Sequence, residues 1–340
     1  MHQKIFPVVD LHCDLLSYLI EGPGRSPLDP ASRASLPSMK QGNVAVQVLA
    51  LFVPNNSHAP SICRNQVTKF LEIQKNHPEY IEPYDPTKHL YSSKDGKTQC
   101  IAAFENSSGF CSETDSIDVG LKELATLKKK LGPIAYISMT WDGENRFGGG
   151  VGSKTGLKQD GQRLLEWMDQ KQIPIDVSHA SDFLIGDIFN TIDKKGYTLP
   201  VIASHSNMRY ITDMPRNLPD ELASEIIHRK GLIGLNFFCH FSGGKTPTDL
   251  LTHIEHAFAL GAQSALCLGA DFFGDIDFPY IKEKYKSDKC FYEELGNSSC
   301  YPRFFDMIRQ GLQIPEVAIE KIAYSNADSF FKELFTKQSM

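Results

Sequence analysis

The chain has 340 residues, 41% hydrophobic and 22% charged, a balance ordinary for a soluble globular enzyme. A formal net charge of −6 and an isoelectric point near 6.0 argue against nucleic-acid binding, which usually leaves a basic footprint. No run approaches the roughly 18 apolar residues of a membrane span, and acidic Asp10 arrives with no apolar leader before it, so no membrane association and a cytoplasmic location are expected.

In chain order, eight short apolar or β-branched runs are expected as strands: 4–9, 44–53, 100–104, 134–139, 173–177, 199–203, 232–236 and 265–268. Amphipathic stretches at 61–76, 116–130, 157–170, 181–194, 220–229 and 247–260 are expected as helices between them. Pro219 followed by Asp220 and Glu221 is a helix start, since acids suit the positive end of the dipole. Gly132, Gly196, Gly231 and Gly261 each follow a helical run, where a left-handed residue is wanted. Near-continuous apolar strands alternating with helices imply a parallel sheet covered by helices, and eight of them imply a closed (β/α)8 (TIM) barrel. Segment 22–37 is expected as a loop over the barrel mouth, 275–299 as a second irregular stretch, and 302–336 as two or three helices outside the barrel. With no repeat and no linker, residues 1–340 are expected to form one domain. The eight cysteines, without any C-x-x-C pair, read as buried thiols.

Polar residues fall in a pattern. His12 and Asp14 end the first strand, Glu105 follows the third, Asp176 and His179 the fifth, His205 the sixth and Asp271 the eighth. All are carboxyl ends, where (β/α)8 enzymes build their sites. Imidazoles and carboxylates of this number suit two divalent ions, His12 and Asp14 holding one, His179 and His205 the other, with Glu105 between. A water shared by two such ions is a nucleophile at neutral pH. Asp176 reads instead as a structural residue holding the His179 loop. His253 and His256 are expected on the outer surface of their helix, and His240 as a residue that can reach the mouth.

Seven motifs in this order resemble the membrane (renal-type) dipeptidases: Asp-Leu-His12-Cys-Asp14, Phe104-Glu105-Asn, Asp176-Val-Ser-His179, Ser204-His205-Ser, Arg216-Asn217-Leu-Pro219-Asp220, Asn236-Phe237-Phe238 and Gly269-Ala-Asp271-Phe. The resemblance implies a zinc-dependent dipeptidase with two Zn2+ ions on a (β/α)8 barrel, with His12, Asp14, Glu105, His179 and His205 as ligands. It further implies Arg216 on the substrate carboxylate, and Asp271 on the free amino group or a proton in transit. Trp141 stands where the vertebrate members carry a substrate-facing His, so Asp142 or Asn145 is expected to supply part of that polar contact. Phe238 stands where some relatives have Tyr. Trp141, Asn145 and Phe238 are therefore candidate substrate-binding residues. Relatives often pair as homodimers, although the sequence carries no interface signal of its own. Two other readings remain: a binuclear hydrolase of another amide, lactam or acyl amino acid, and a catalytically weakened metal- or ligand-binding homologue.

Overall fold

A computed structural model describes residues 5–90, 96–274, 283–285 and 289–338. The strands are β1 Val8–Cys13, β2 Val44–Phe52, β3 Ile81–Pro83, β4 Thr98–Glu105, β5 Ile134–Ser138, β6 Ile175–Asp176, β7 Val201–Ile202, β8 Ile233–Leu235 and β9 Leu266–Leu268. All pairs are parallel, in the order β7-β6-β5-β4-β2-β1-β9-β8, and a parallel bridge between Ala203 and Ile233 joins the two ends. The result is a (β/α)8 barrel, with the short β3 added beside β4. Strand residues are buried on both faces almost throughout, as helices outside and packed side chains inside require.

The expected helices form at Ala59–Asn76, Ile117–Leu131, Gln159–Lys171, Asp182–Lys195, Asp220–His228 and Asp249–Ala259. Ser116 and Ser181 cap their helices by accepting from the backbone N–H three residues on. Gly132, Gly196 and Gly261 have positive φ as expected, but Gly231 does not. There Lys230 takes the left-handed turn at φ 59°, and Gly231 is needed because a Cβ would lie 2.0 Å from the Val201 carbonyl oxygen.

The first strand begins four residues later than expected and includes His12; residue 4 lies outside the described residues. Segment 22–37 contains a turn of 3-10 helix at Pro30–Ser32 and is pinned to the distal chain. Arg33 Nη1 donates to the Gly296 carbonyl at 2.8 Å, and Ser298 N donates to the Arg33 carbonyl at 2.9 Å. Of the irregular stretch 275–299, residues 275–282 and 286–288 lie outside the described residues. The C-terminal run forms helices Tyr301–Gly311, Glu316–Glu320 and Asn326–Gln338, the last two joined by a π-helical segment at Lys321–Ser325. They pack on the barrel through pairs such as Phe237–Phe304, ring centroids 4.8 Å apart. One apolar core runs from Phe6 to Phe335. All eight cysteines are buried, with no disulfide among the described residues. Nor is any helix among them long and apolar enough to cross a membrane.

Candidate metal centre

The carboxyl ends of the strands carry the polar cluster. His12 lies within β1 with Asp14 just beyond it, and Glu105 is the last residue of β4. His179, His205 and Asp271 each stand three residues past the end of β6, β7 and β9. His179 and Asp271 hold left-handed backbone at φ 67° and 62°, an uncommon conformation that persists only where the surroundings enforce it.

Glu105 faces both sides of the cluster. Its Oε1 lies 3.0 Å from His179 Nε2 and 3.8 Å from His205 Nε2, while Oε2 lies 3.2 Å from His12 Nε2. On the far side, His12 Nε2 is 3.8 Å from Asp14 Oδ2 and 3.6 Å from Asp271 Oδ1. The two halves abut, because the His12 and His205 rings stack with centroids 3.7 Å apart. His12–Glu105–His205 and His12–Asp14–Asp271 each bring their ligand atoms within 4.8 Å of one another, and His179, Glu105 and His205 meet at 3.0 to 3.8 Å on the other side.

Each imidazole is oriented through its Nδ1. Tyr136 Oη donates to the Leu11 carbonyl at 2.9 Å, so its contact with His12 Nδ1 at 2.7 Å is made by the imidazole proton. Ser204 Oγ likewise donates to Asp176 Oδ2 at 2.8 Å and accepts from His205 Nδ1 at 2.6 Å. Asp142 Oδ1 accepts from His179 Nδ1 at 2.9 Å. A neutral ring with its proton on Nδ1 keeps a lone pair on Nε2, and all three Nε2 atoms point inward. Those of His179 and His205 are 3.0 Å apart, and a proton shared between them would cost one of the Nδ1 bonds.

This donor set fits a cation. His12 Nε2, Asp14 Oδ1 and Glu105 Oε2 are buried without any hydrogen bond, a state that buried polar atoms rarely tolerate. Burial, together with His12, Arg216 and His179 beside it, pushes the His205 imidazole well below its usual value, as a neutral ligand requires. Burial opposes ionisation of Glu105, yet His12 and His179 hold its carboxyl well below the usual range. Burial and the charges of Glu105 and Asp271 push Asp14 up to about 7. Burial would lower His12, but Tyr136 and Glu105 outweigh it and raise the ring well above its usual value. The cluster thus favours positive charge at its centre, a demand that a proton meets in part and a metal ion meets by displacing it.

A cavity of about 510 Å3, counting the part open to solvent, lies over the cluster. Asp14, Glu105, His179 and Asp271 form its floor; Phe52 and Trp141 stand on one side, and Phe238, Phe241, Phe273 and Tyr285 on the other. Asp142 and Lys284 also face it, paired at 3.3 Å. Trp141, Phe238 and Asp271 thus line this cavity. Asn145 does not: its Nδ2 donates to Met139 O at 2.8 Å and to Asn106 Oδ1 at 3.1 Å, and its Oδ1 accepts from Phe147 N at 2.8 Å, so the amide ties two loops together. Arg216 lies beneath the cavity wall, buried, with Nη1 on Ser206 Oγ at 2.8 Å, Nη2 on the His205 carbonyl at 2.9 Å, and Nε without a partner. No residue of 22–37 lines the cavity.

Asp176 has the structural role expected of it, accepting from Ser138, Ser178 and Ser204. His253 corrects the surface expectation: it is fully buried, taking the Met208 N–H on Nδ1 at 3.1 Å. His256 is partly exposed and pairs with Asp220 at 2.8 Å. Tyr136 and Ser204 have no role assigned from sequence, where a tyrosine inside the apolar run 134–139 is the available signal; Asp142, expected near the substrate contact, lines the cavity and also meets His179.

Residues 2–337 match the family model described as membrane dipeptidase, peptidase family M19. The chain belongs to the membrane dipeptidase family. It is a metallo-dipeptidase by that membership. The membrane dipeptidase relatives include an uncharacterised dipeptidase of Schizosaccharomyces pombe, 26% identical over 312 residues, covering 80% of this chain and 70% of that protein. A protein of Klebsiella pneumoniae from the region 5' of pqqA is 27% identical over 208 residues, covering 57% of this chain and 69% of that one. A metallo peptidase of Rhodobacter sphaeroides, solved with a phosphinate mimic of the dipeptide L-Ala-D-Ala, has the same fold, with TM-score 0.80 and 19% identity, covering 98% of this chain and 100% of that one.

Proposed function

We propose that this membrane dipeptidase family member cleaves the peptide bond of dipeptides with two zinc ions held by His12, Asp14, Glu105, His179 and His205, within a single domain. The observation that carries this reading is the convergence of three Nε2 lone pairs on a carboxylate whose Oε2 has no hydrogen-bond partner. When bound, such ions polarise the scissile carbonyl and activate water for attack at neutral pH. Glu105, with one oxygen toward each half, would serve both ions. Asp271, whose carboxyl is pushed up by burial and whose Oδ2 accepts from Asn236 at 2.8 Å, is suited to hold a proton for the leaving amine or to face the substrate ammonium. Arg216 supplies the opposite charge for the substrate carboxylate, its fork fixed beneath the wall by His205 and Ser206. The dipeptide mimic held by the Rhodobacter sphaeroides protein of the same fold supports this substrate class.

A second reading, hydrolysis of another amide, lactam or acyl amino acid, draws on Arg216 lying under the cavity rather than in its wall. Purified protein supplied with zinc and a panel of L,L and L,D dipeptides, N-acyl amino acids and lactams separates the two. Release of free amino acids from dipeptides is expected; turnover of the acylated or cyclic compounds alone rejects the leading reading.

A further inference from the structure

Among the three imidazoles, only His179 is oriented directly by a carboxylate. His12 leans on a phenol and His205 on a serine hydroxyl. The carboxylate belongs to Asp142, in the loop where the chain departs from the vertebrate pattern. That loop grips His179 twice. Thr140 Oγ1 reaches the His179 carbonyl at 3.4 Å, and Asp142 Oδ1 takes the Nδ1 proton at 2.9 Å. The other oxygen of Asp142 is held by Lys284 Nζ at 3.3 Å, so the carboxylate is fixed from both sides. Gly150 lets the loop sit there: a Cβ at that position would lie 2.0 Å from the Trp141 carbonyl oxygen and 2.6 Å from the Asp142 carbonyl carbon.

We propose that Asp142 is a positioning residue for metal binding, fixing the His179 ring with its proton on Nδ1 and its Nε2 lone pair turned toward Glu105 and His205. This rests on the metal reading above and adds a residue to it. A carboxylate on the far nitrogen of a ligand histidine fixes ring orientation and raises the basicity of the ligating nitrogen, and its removal typically weakens metal binding roughly 10- to 100-fold. Unlike His12, His179 lies beyond its strand, and unlike His205 it holds left-handed backbone at φ 67°, so its ring draws on a brace from another loop.

The test measures zinc binding to metal-free protein, by competition with a chromophoric chelator, for the wild type, Asp142→Ala and Asp142→Asn. Wild type is expected to take up two ions. Asp142→Ala should bind one of them about 10- to 100-fold more weakly, and Asp142→Asn, which keeps an acceptor oxygen, should recover most of that loss. Two ions bound to Asp142→Ala with wild-type affinities overturn the role of Asp142 while leaving the metal centre standing. No uptake by the wild type overturns the centre itself, and this inference with it. Should Asp142→Ala fail to fold, the ring 15N signals of His179 in the wild type, identified by their loss in His179→Gln, decide the matter. A proton on Nδ1 is expected, and a proton on Nε2 in the metal-free protein at neutral pH rejects the proposal.

Discussion

Glu105 Oε2 and His12 Nε2 stand 3.2 Å apart in the protein interior, and neither atom holds a hydrogen bond. Two acceptors that close are repulsive unless positive charge lies between or beside them. Glu105→Gln keeps the shape and removes the charge, while one of its atoms becomes a donor facing an imidazole. The variant should lose bound metal and activity together, by more than the roughly 10- to 100-fold typical of losing a residue that only supports a ligand. Full activity with two ions bound, measured by metal analysis beside turnover, would remove Glu105 from the bridge.

Arg216 is expected to serve substrate rather than metal. Charge-assisted hydrogen bonds contribute about 1.5–3 kcal/mol, so Arg216→Ala should lower kcat/KM for dipeptides about 10- to 100-fold while two ions remain bound. Arg216→Lys should restore little, since an ammonium cannot reproduce the fork that spans Ser206 and the His205 carbonyl. An unchanged kcat/KM in Arg216→Ala takes this residue out of the site.

The cavity's two aromatic sides predict a preference for dipeptides with large apolar side chains. Trp141 packs edge-on against Phe52 at 5.0 Å, forming one side. Trp141→Ala should lower kcat/KM for dipeptides with aromatic side chains about tenfold more than for glycylglycine, within the range of one lost apolar contact set. Equal losses on both substrates would show that the indole does not touch substrate side chains.

His253 gives a pH-dependent stability. Burial pushes its ring from the usual 6.5 down to about 4. Between those values the unfolded chain binds a proton that the folded protein does not, so stability is full above pH 6.5 and declines as the pH falls. The decline is complete near pH 4 and amounts to about 3 kcal/mol. His253→Asn keeps an acceptor for the Met208 N–H and cannot titrate. Urea unfolding at pH 7 and pH 4.5 should show a smaller difference for the variant than for wild type; identical differences would mean that His253 does not titrate as a buried base.

Much of this arrangement was legible in the sequence, because apolar runs alternating with amphipathic ones have few solutions. The strand set and the polar residues beyond each strand followed from that alternation. The early expected end of the first strand has a physical reason: His12 is a polar residue inside a buried strand, and the Tyr136 hydroxyl that meets its ring is 124 positions away. The three-residue β3, carrying Glu82 and Pro83, has no periodicity to read. Asp142 and Asn145 look interchangeable in sequence, and it is the fold that turns one to the cavity and ties the other to Met139 and Phe147. His253 was misread despite a usable signal, since it shares a helical face with Leu250, Ile254 and Ala257, all fully buried.

One buried carboxylate ties together distant parts of the polypeptide. Asp10 accepts from the backbone of His12 and of Ala270, and from the Tyr301 hydroxyl at 2.5 Å, across a separation of 291 residues. The strand that carries His12 emerges from the ribosome long before Tyr301, which helps to lock it in place, is made. A nascent chain therefore cannot present a finished cation trap until Tyr301 has been made, and the centre should load only once that helix has joined the barrel.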